Sequence, residues 1–386
     1  MKNRILFISS QAYSLLNFRG TLIVSLIEDG WEVHCVATDM SVEIQEELKL
    51  MGAVVHKLEG NRAKFSIFSD MRYTFQLYNL IKNIKPSTTF CYFMKPIIFG
   101  SLVAKMLEVD VRIILIEGLG YIYTEEKFFI RRLVRPLITL AYNFAVRFST
   151  KVIVLNSDDR DFVECINPFG RDKVVVIPGI GVDLEKFYPH NKHRIISTSY
   201  DFAYFGRMLK HKGILNIIEA IKILKTEGHS CRVAFFGSVD ENPSSLSLQQ
   251  LKDWECEGLI TYQGFSDNVV KDMLSCNVIL LPSYREALPR TCQEAAVLGK
   301  AAIVSNAIGC REVVVDNVTG LVCEVKNSQS LAQKMKFYLL NQDIAIKHGA
   351  NARSRAVSLY DAKNINRQFI KIINLKEKEI DKRGAL

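Results

Sequence analysis

Residues 278–299 read VILLPSYREALPRTCQEAAVLG, and three kinds of segment follow one another there. The first letters are aliphatic, as in a buried strand, and Pro282 and Pro289 then interrupt regular structure. The last letters form a helix-like run that ends at Gly299. A strand, a loop and a helix in this order are part of a β-α-β unit, which lays strands side by side in a parallel sheet. The segment therefore predicts an α/β fold.

The same alternation of short apolar runs and helix-length amphipathic segments extends along the whole chain. It stops at a polar, unpatterned stretch and then restarts, and 386 residues are enough for two or three domains. We predict an N-terminal Rossmann-like domain over 1–178, a linker over 179–200 and a second Rossmann-like domain over 201–361. A C-terminal helix over 362–386 is expected to pack back on the first domain. Two such doubly wound domains facing each other would define an interdomain cleft at the carboxyl ends of their strands.

The predicted strands of the first domain are 5–8, 32–38, 54–58, 89–93, 113–116, 152–155 and 174–177. Those of the second domain are 202–205, 233–236, 260–262, 278–281, 302–305 and 321–325.

Composition excludes several classes of protein. Apolar residues make up 48% of the chain and charged residues 24%, which is ordinary globular usage and argues against disorder. The nine cysteines are scattered, which favours buried free thiols in a reducing compartment over a disulfide framework. The apolar run that follows Arg4 is shorter than the core of a secretory leader, so the protein is expected to stay in the cytoplasm.

The loop between Glu286 and Pro289 carries the most chemical information. It ends where a helix begins near Arg290, and free N–H groups with the helix dipole favour an anion such as a diphosphate there. Glu286 in the loop and Glu294 about one turn into the helix can each accept hydrogen bonds from a pair of hydroxyl groups. The alternative is an ordinary loop whose glutamates are solvated.

Seven residues separate Glu286 from Glu294, and two alanines and a helix-ending glycine follow. This pattern resembles the donor-site motif of retaining group 1 glycosyltransferases of the GT-B fold. The resemblance extends over nearly the whole chain. It implies that Glu286 contacts the donor sugar and that Glu294 holds the ribose. It also implies that the backbone of Ala287 and Leu288 holds sugar hydroxyls and phosphate.

A second match begins at the first predicted strand of the C-terminal half, where residues 204–213 read YFGRMLKHKG. This segment resembles the same family's Gly-Arg and Lys-Gly segment, with Gly206 and Arg207 at its start and Lys212 at its end. The resemblance implies that Arg207 and Lys212 grip the leaving diphosphate. Fixed cations at that place stabilise the charge that develops as the glycosidic bond breaks. Lys210 is a second candidate for the lysine, and a solvated basic turn is the alternative for the whole segment.

The loop predicted after the first strand, residues 9–20, lacks the Gly-x-Gly-x-x-Gly pattern of a dinucleotide site, which argues against an oxidoreductase. Its Asn17-Phe18-Arg19 resembles a variant in the branch that transfers galactose-type sugars onto lipid-linked diphosphates in O-antigen assembly and protein glycosylation. Residues 117–121, EGLGY, are similar to that branch too. Asn17, Arg19 and Glu117 are therefore acceptor-side candidates. For Glu117 a glycine turn with a solvated carboxylate is the alternative.

The resemblance implies a reaction as well as a fold. A UDP-sugar, UDP-N-acetylgalactosamine or UDP-galactose, would donate its sugar with retention to a sugar on undecaprenyl diphosphate, forming an α-1,3 linkage in O-antigen or a related polysaccharide. No cofactor and no essential metal are expected. A nucleotide-sugar epimerase or hydrolase of the same architecture is the alternative, as is transfer of another sugar to another acceptor.

The segment 127–151 is basic, lacks acids and is interleaved with aromatic and aliphatic residues. A helix of this kind suits the surface of an anionic membrane, and its longest uncharged run is too short to cross one. We expect a peripheral position on the inner face of the plasma membrane; a core helix with a solvated basic edge is the alternative. Nucleic acid is disfavoured because basic residues elsewhere are dispersed among acids.

Two patterns resemble metal sites. Asp159-Arg160-Asp161 spells the Asp-x-Asp of metal-dependent glycosyltransferases, yet it follows a strand through Asn156, so we predict a helix cap with carboxylates in the first turn. His190 and His193 lie in the predicted linker without a third ligand, which argues against a metal there.

Overall fold

The computed structural model of the chain describes residues 3–60, 66–119, 123, 129–188, 199–240 and 244–375. His190 and His193, Gly120 and Tyr121, and the start of segment 127–151 lie outside these ranges. The described residues form two compact units, and the chain passes from the first to the second after Gly181 and back after Asp361.

The first unit contains a parallel sheet with the strand order β3-β2-β1-β4-β5-β6-β7. Its strands are β1 (Arg4–Ile8), β2 (Glu32–Ala37), β3 (Val54–Lys57), β4 (Thr88–Tyr92), β5 (Val111–Ile116), β6 (Lys151–Val154) and β7 (Val174–Val176). Most of their side chains are buried on both faces, as expected of a parallel sheet that helices cover on both sides.

Helices cover both faces of this sheet. They are α1 (Ala12–Glu28), α2 (Val42–Leu50), α3 (Ile67–Ile84), α4 (Ser101–Met106), α5 (Arg135–Phe148) and α6 (Ser157–Ile166). Helices α3, α4, α5 and α6 share one core with the same face of the sheet, and this core includes Leu77, Val103 and Tyr142. Five-residue π-helical turns, Pro96–Gly100 and Ile130–Val134, lead into α4 and α5.

The last described helix belongs to the first unit although it follows the second in sequence. Its aromatic residue Phe369 is buried, and the Phe369 ring lies 6.0 Å from the ring of Phe90 in β4. The helix, Ala362–Ile373, also packs against α1. Because it carries a strong apolar stripe that includes Ile365 and Ile372, it covers sheet surface that would otherwise be exposed.

The second unit repeats the design with the strand order β10-β9-β8-β11-β12-β13, again all parallel. Its strands are β8 (Tyr200–Phe205), β9 (Val233–Phe236), β10 (Thr261–Gly264), β11 (Cys276–Leu281), β12 (Ala301–Ser305) and β13 (Gly320–Cys323). Its helices are α7 (Ile214–Thr226), α8 (Leu248–Cys256), α9 (Val269–Leu274), α10 (Arg290–Val297), α11 (Cys310–Val313), α12 (Ser328–Leu340) and α13 (Gln342–Leu359); the helix Ala362–Ile373 is α14.

Both sheets reverse their direction of winding once, between β1 and β4 in the first unit and between β8 and β11 in the second. Ligands of open α/β sheets bind outside the carboxyl ends of the strands at such a switch point. The prediction of an α/β chain with two doubly wound Rossmann-like sheets is confirmed. The switch point of the second sheet is the place where the two predicted motifs meet.

The cysteines differ in part from expectation. All nine carry free thiols, but Cys165 and Cys256 are exposed, so the prediction of buried thiols is wrong for these two. Both lie at the ends of surface helices, α6 and α8, on sides that are not covered by the sheet. No helix among the described residues combines the length and the apolar character that a bilayer-spanning segment needs.

Candidate active site

Two loops flank the switch point of the second sheet. One leaves β8 and carries Gly206 to Lys212 before α7 begins, and the other leaves β11 and carries Glu286 before α10 begins. Because β8 and β11 are paired neighbours, the residues that follow them emerge at the same edge of the sheet. The two sequence motifs are thus brought together although they are far apart in the chain.

Lys212 and Glu286 form the central contact between these loops. The Nζ atom of Lys212 donates to Oε1 of Glu286 at 2.5 Å, and both side chains are largely buried. Gly213 makes this approach possible, since a Cβ at that position would lie 2.1 Å from the carbonyl oxygen of Pro282, and its φ is +79°. Lys210, the second candidate, is exposed. Lys212 is therefore the lysine that the fold directs toward Glu286.

Arg207 lies at the start of the same loop with half of its side chain exposed. Its Nη1 atom donates to Oδ2 of Asp240 at 2.8 Å, an ion pair that the sequence did not reveal because Asp240 follows β9 rather than either motif. The buried hydroxyl of Tyr204 donates to the carbonyl oxygen of Arg207 and fixes the backbone there. An exposed pair of this kind is weak, so the guanidinium can exchange Asp240 for another anion.

His211 stands between the two lysines but adds no positive charge at neutral pH. Burial, followed by the positive charge of Lys212, lowers the pKa of His211 to about 4. Its Nδ1 atom lies 3.1 Å from the Oγ of Ser244, and its carbonyl oxygen accepts from the backbone N–H of Tyr284. His211 thus ties the β8 loop to the β11 loop as a neutral residue.

The loop that carries Glu286 is held from behind by a third loop, which leaves β12. The N–H of Glu286 donates to the carbonyl oxygen of Ile308 at 3.0 Å. A Cβ at Gly309 would lie 2.4 Å from the carbonyl oxygen of Glu286 and 2.6 Å from that of Ala287. The side chain of Gln293 donates to the carbonyl oxygen of Leu288 at 3.2 Å. Sequence reasoning missed Gly309; a glycine after a strand exit was the available signal.

Helix α10 begins after Pro289, and no side chain caps its first turn. Within it, Glu294 accepts from the Nε atom of Arg290 at 2.7 Å. Burial raises the pKa of Glu294, an effect that the charges of Arg290 and Lys186 oppose. A buried carboxylate next to an uncapped helix start can accept hydroxyl groups while the helix start binds an anion.

Two of the acceptor-side candidates, Asn17 and Arg19, do not lie in a loop, so the predicted loop over residues 9–20 is wrong. Helix α1 begins at Ala12, whose N–H donates to the carboxylate of Asp39. That hydrogen bond and the absence of glycine or proline after Gln11 let the helix start directly behind β1. Asn17 and Arg19 are therefore helical, and Asn17 donates to the carbonyl oxygen of Tyr13 one turn earlier.

Arg19 and Glu117 nevertheless meet. The guanidinium of Arg19 is 1% exposed, lies over the ring of Tyr92 and forms an ion pair with Glu117, which follows β5 and is partly exposed. Of the two, Glu117 is the residue that a ligand can reach, and the buried Arg19 holds the carboxylate of Glu117 from the protein interior. Asn17 is half-buried on the same helix.

The metal-like pattern at Asp159 is a helix cap. The side chain of Asn156 accepts from the N–H of Asp159 at 2.7 Å, and Asp158 and Asp159 occupy the first turn of α6. The predicted cap is confirmed. Across the described residues, no cluster of three histidine, cysteine or acidic side chains is suited to hold a metal ion.

Taken together, the second unit gathers Arg207, the ion pair of Lys212 with Glu286 and an uncapped helix start at one sheet edge, which suits the diphosphate of an activated sugar. Residues 188–355 match the family model described as "Glycosyl transferases group 1", and residues 4–156 match the one described as "Glycosyl transferase 4-like". Both matches are to glycosyltransferase models, and the chain is a glycosyltransferase.

This glycosyltransferase is similar to one named bacterial enzyme over nearly the whole chain and to a second over about two thirds of it. It is 29% identical to the N,N'-diacetylbacillosaminyl-diphospho-undecaprenol alpha-1,3-N-acetylgalactosaminyltransferase of Campylobacter jejuni, over 96% of this chain and 98% of that protein. It is 27% identical to the UDP-Gal:alpha-D-GlcNAc-diphosphoundecaprenol alpha-1,3-galactosyltransferase of Escherichia coli, over 69% of each chain.

Among solved structures, HepE of Anabaena in complex with UDP and glucose has a TM-score of 0.74 to the glycosyltransferase at 16% identity. The match covers 96% of this chain and 99% of HepE. At this level of identity the likeness bears on the fold alone. It confirms the prediction of the GT-B fold.

Proposed function

We propose that the glycosyltransferase moves N-acetylgalactosamine, or galactose, from a UDP-sugar to a sugar on undecaprenyl diphosphate, with retention and as an α-1,3 linkage. The names of the Campylobacter jejuni and Escherichia coli relatives support this acceptor class, and both name an α-1,3 linkage. The name of the Escherichia coli relative, which begins with UDP-Gal, supports a uridine nucleotide. The product would belong to O-antigen or a related polysaccharide.

The observation that carries this proposal is the contact between Lys212 and Glu286 beside the uncapped start of α10. In the proposed complex Arg207 and Lys212 hold the diphosphate, and Glu286 and the backbone of Ala287 and Leu288 hold the sugar. Glu294 holds the ribose. The bond from the anomeric carbon to the phosphate oxygen breaks while the acceptor oxygen bonds to the same face of that carbon. The departing phosphate oxygen accepts the acceptor's hydroxyl proton, so the step needs no metal ion.

We further propose that α5 and the turn before it lie on the anionic membrane that carries the acceptor, on its inner face. Ile138, Tyr142 and Ala145 are buried, which fits a core helix. A second stripe at helical spacing is apolar but exposed; it consists of Phe129, Leu133, Leu137, Leu140 and Phe144. The exposed Arg132 and Arg147 lie on the same segment. A core helix with a basic edge does not explain an exposed apolar stripe, whereas an interfacial helix requires one.

The proposed reaction is tested with purified protein, a panel of UDP- and GDP-sugars and undecaprenyl-diphosphate-linked sugars, with products scored by mass. We expect transfer from UDP-N-acetylgalactosamine or UDP-galactose, with the α configuration visible by NMR and full activity after chelation of divalent metals. Glu286→Ala should abolish transfer while the protein stays folded, although its unfolding temperature should fall because the largely buried Lys212 loses its partner. An unchanged transfer rate in Glu286→Ala would contradict the donor site.

Omitting the acceptor separates the transferase from the alternative reaction. A transferase leaves the UDP-sugar largely intact under these conditions, because the protein shields the donor from water. Release of free sugar, or formation of an epimer, at the rate seen with acceptor would support a hydrolase or an epimerase instead.

A further inference from the structure

A wide groove runs between α3 and α4 on the outside of the first unit. It has a volume of about 770 Å³, within the range of roughly 300–1,000 Å³ that is usual for small-ligand sites. Its walls are almost entirely apolar and include Ile67, Met71, Phe75, Phe99, Leu102 and Met106.

The groove lies outside the core that holds α3 on the sheet and shares with it only residues of its floor, among them Val103 and Phe99. That core uses Tyr73, Leu77 and Ile81 on the inner side of the helix, all of which are buried. Met71 and Phe75 point the other way and are each 66% exposed. Helix α3 therefore has two apolar faces, and a large exposed apolar patch on a folded unit marks a site of interaction.

Asp70 and Thr74, two of the polar residues in the groove, already have partners. One carboxylate oxygen of Asp70 accepts from the Nζ atom of Lys95 at 2.6 Å, and the other accepts from the N–H of Ser66 at 3.1 Å. The hydroxyl of Thr74 donates to the carbonyl oxygen of Asp70. A peptide segment would bring N–H and C=O groups that the groove cannot partner, whereas a hydrocarbon chain brings none. The walls thus favour a hydrocarbon occupant.

The position of the groove indicates where such a chain would come from. Helices α3 and α4 follow β3 and β4, so both begin at the carboxyl edge of the sheet, the edge from which Glu117 also emerges after β5. Helix α4 also packs against α5, so the groove and the exposed stripe of α5 belong to the same helical layer. A chain in this groove would have one end toward that edge and its length beside the face that we propose lies on the membrane.

We propose that the groove between α3 and α4 binds the first isoprene units of the hydrocarbon chain of a lipid-linked diphosphate acceptor. This proposal rests on the proposed function for the identity of the lipid. It assigns a binding role to Met71 and Phe75 that neither sequence motif contains.

The test measures binding to the full-length protein without any donor. Two probes are used, radiolabelled isoprenyl diphosphates with two and with four isoprene units. We expect the four-unit probe to bind about tenfold more tightly, because each buried methylene contributes roughly fourfold and part of the extra chain is buried. Replacing both Met71 and Phe75 by glutamate should reduce this ratio to about one.

Phe68→Glu is the matched control. Phe68 lies on the same helix and is 86% exposed, but it does not line the groove. It removes one apolar side chain and adds one negative charge, as each substitution of the double variant does, so it should keep the chain-length ratio of the wild type. Thermal unfolding should be unchanged in both variants because all three replaced side chains are exposed.

Three outcomes would overturn the proposal. They are equal binding of the two probes to the wild type, a ratio that survives in the double variant, and a dimer in sedimentation that the double variant converts to monomer. The last would make the groove an interface between two copies of the chain.

Transfer assays distinguish this proposal from the proposed function. If no UDP-sugar is transferred but the chain-length ratio behaves as expected, the groove still binds lipid and the proposed reaction fails. If transfer proceeds equally with short and long chains, and equally in the double variant, the groove proposal fails and the reaction stands.

Discussion

The ammonium of Lys212 lies 2.5 Å from the carboxylate of Glu286, across 74 residues of sequence. Each is the partner of the other while no substrate is bound, which keeps a positive charge fixed at the sheet edge without leaving it unpaired. In the complex that we propose, a diphosphate would offer Lys212 a stronger acceptor and would release Glu286 for the hydroxyl groups of a sugar. The ion pair thus has the form of a site that exchanges partners when its substrate binds.

Lys212→Ala is expected to lower kcat for sugar transfer by on the order of 10²–10³, because a fixed cation at the leaving diphosphate is lost. Lys210→Ala is the matched control, since it removes the same charge from the same turn but from an exposed side chain. We expect a change of less than about threefold there, because solvent and salt screen exposed charges. Steady-state kinetics with one UDP-sugar compare the two, and equal losses would contradict a specific role for Lys212.

Gly213→Ala should destabilise the second unit by roughly 2–4 kcal/mol, because its Cβ would collide with the carbonyl oxygen of Pro282 in addition to the strain of a positive φ. Gly228 provides the control, with a φ of +80° and no atom within 4 Å of its Cβ position. Gly228→Ala therefore carries the backbone strain alone, about 1 kcal/mol. Urea unfolding measures both, and equal midpoints would show that the contact with Pro282 is unimportant.

The order of strands and helices was predictable because it depends on local pattern. The predicted strands 278–281 and 202–205 lie within the observed β11 and β8, since buried parallel strands are short continuous apolar runs. The proximity of the loops that carry Lys212 and Glu286 was also predictable, because neighbouring parallel strands end at the same edge of a sheet. Its side-chain geometry did not, because it depends on how closely Gly213 approaches Pro282.

Contacts between distant segments without a motif could not be predicted. Asp240 pairs with Arg207, and Gly309 supports the loop of Glu286, yet nothing local to either residue indicates these partners. Arg19 was placed in a loop because polar residues follow β1, but Asp39 caps the helix start from another strand exit. The groove between α3 and α4 could not be predicted either. Apolar residues at helical spacing, such as Met71 and Phe75, are also typical of a buried helix face.

His211 should make folding stability depend on pH. Its pKa is lowered from 6.5 to about 4, so between these values the unfolded chain binds a proton that the folded chain does not. Protonation of His211 therefore does not affect the free energy of unfolding above about pH 7. As the pH falls toward 4, it lowers the free energy of unfolding by on the order of 2 kcal/mol. Urea unfolding from pH 4 to 7.5 should show a shallower dependence in His211→Gln. Parallel curves for wild type and variant would contradict the buried, neutral state of His211.

Arg19 can either hold the carboxylate of Glu117 in place or bind the acceptor itself. Breaking the ion pair of Arg19 with Glu117 distinguishes these two roles. Because Arg19 is buried, Arg19→Met should cost on the order of 3 kcal/mol in unfolding free energy by leaving Glu117 unpaired, and adding Glu117→Ala should recover most of that loss. The exposed pair of Arg72 and Glu59, with an N–O distance of 2.6 Å, is the control, and Arg72→Met should cost less than about 1 kcal/mol. If Arg19→Met instead leaves stability unchanged but raises KM for the acceptor, Arg19 reaches the ligand itself and the supporting role is wrong.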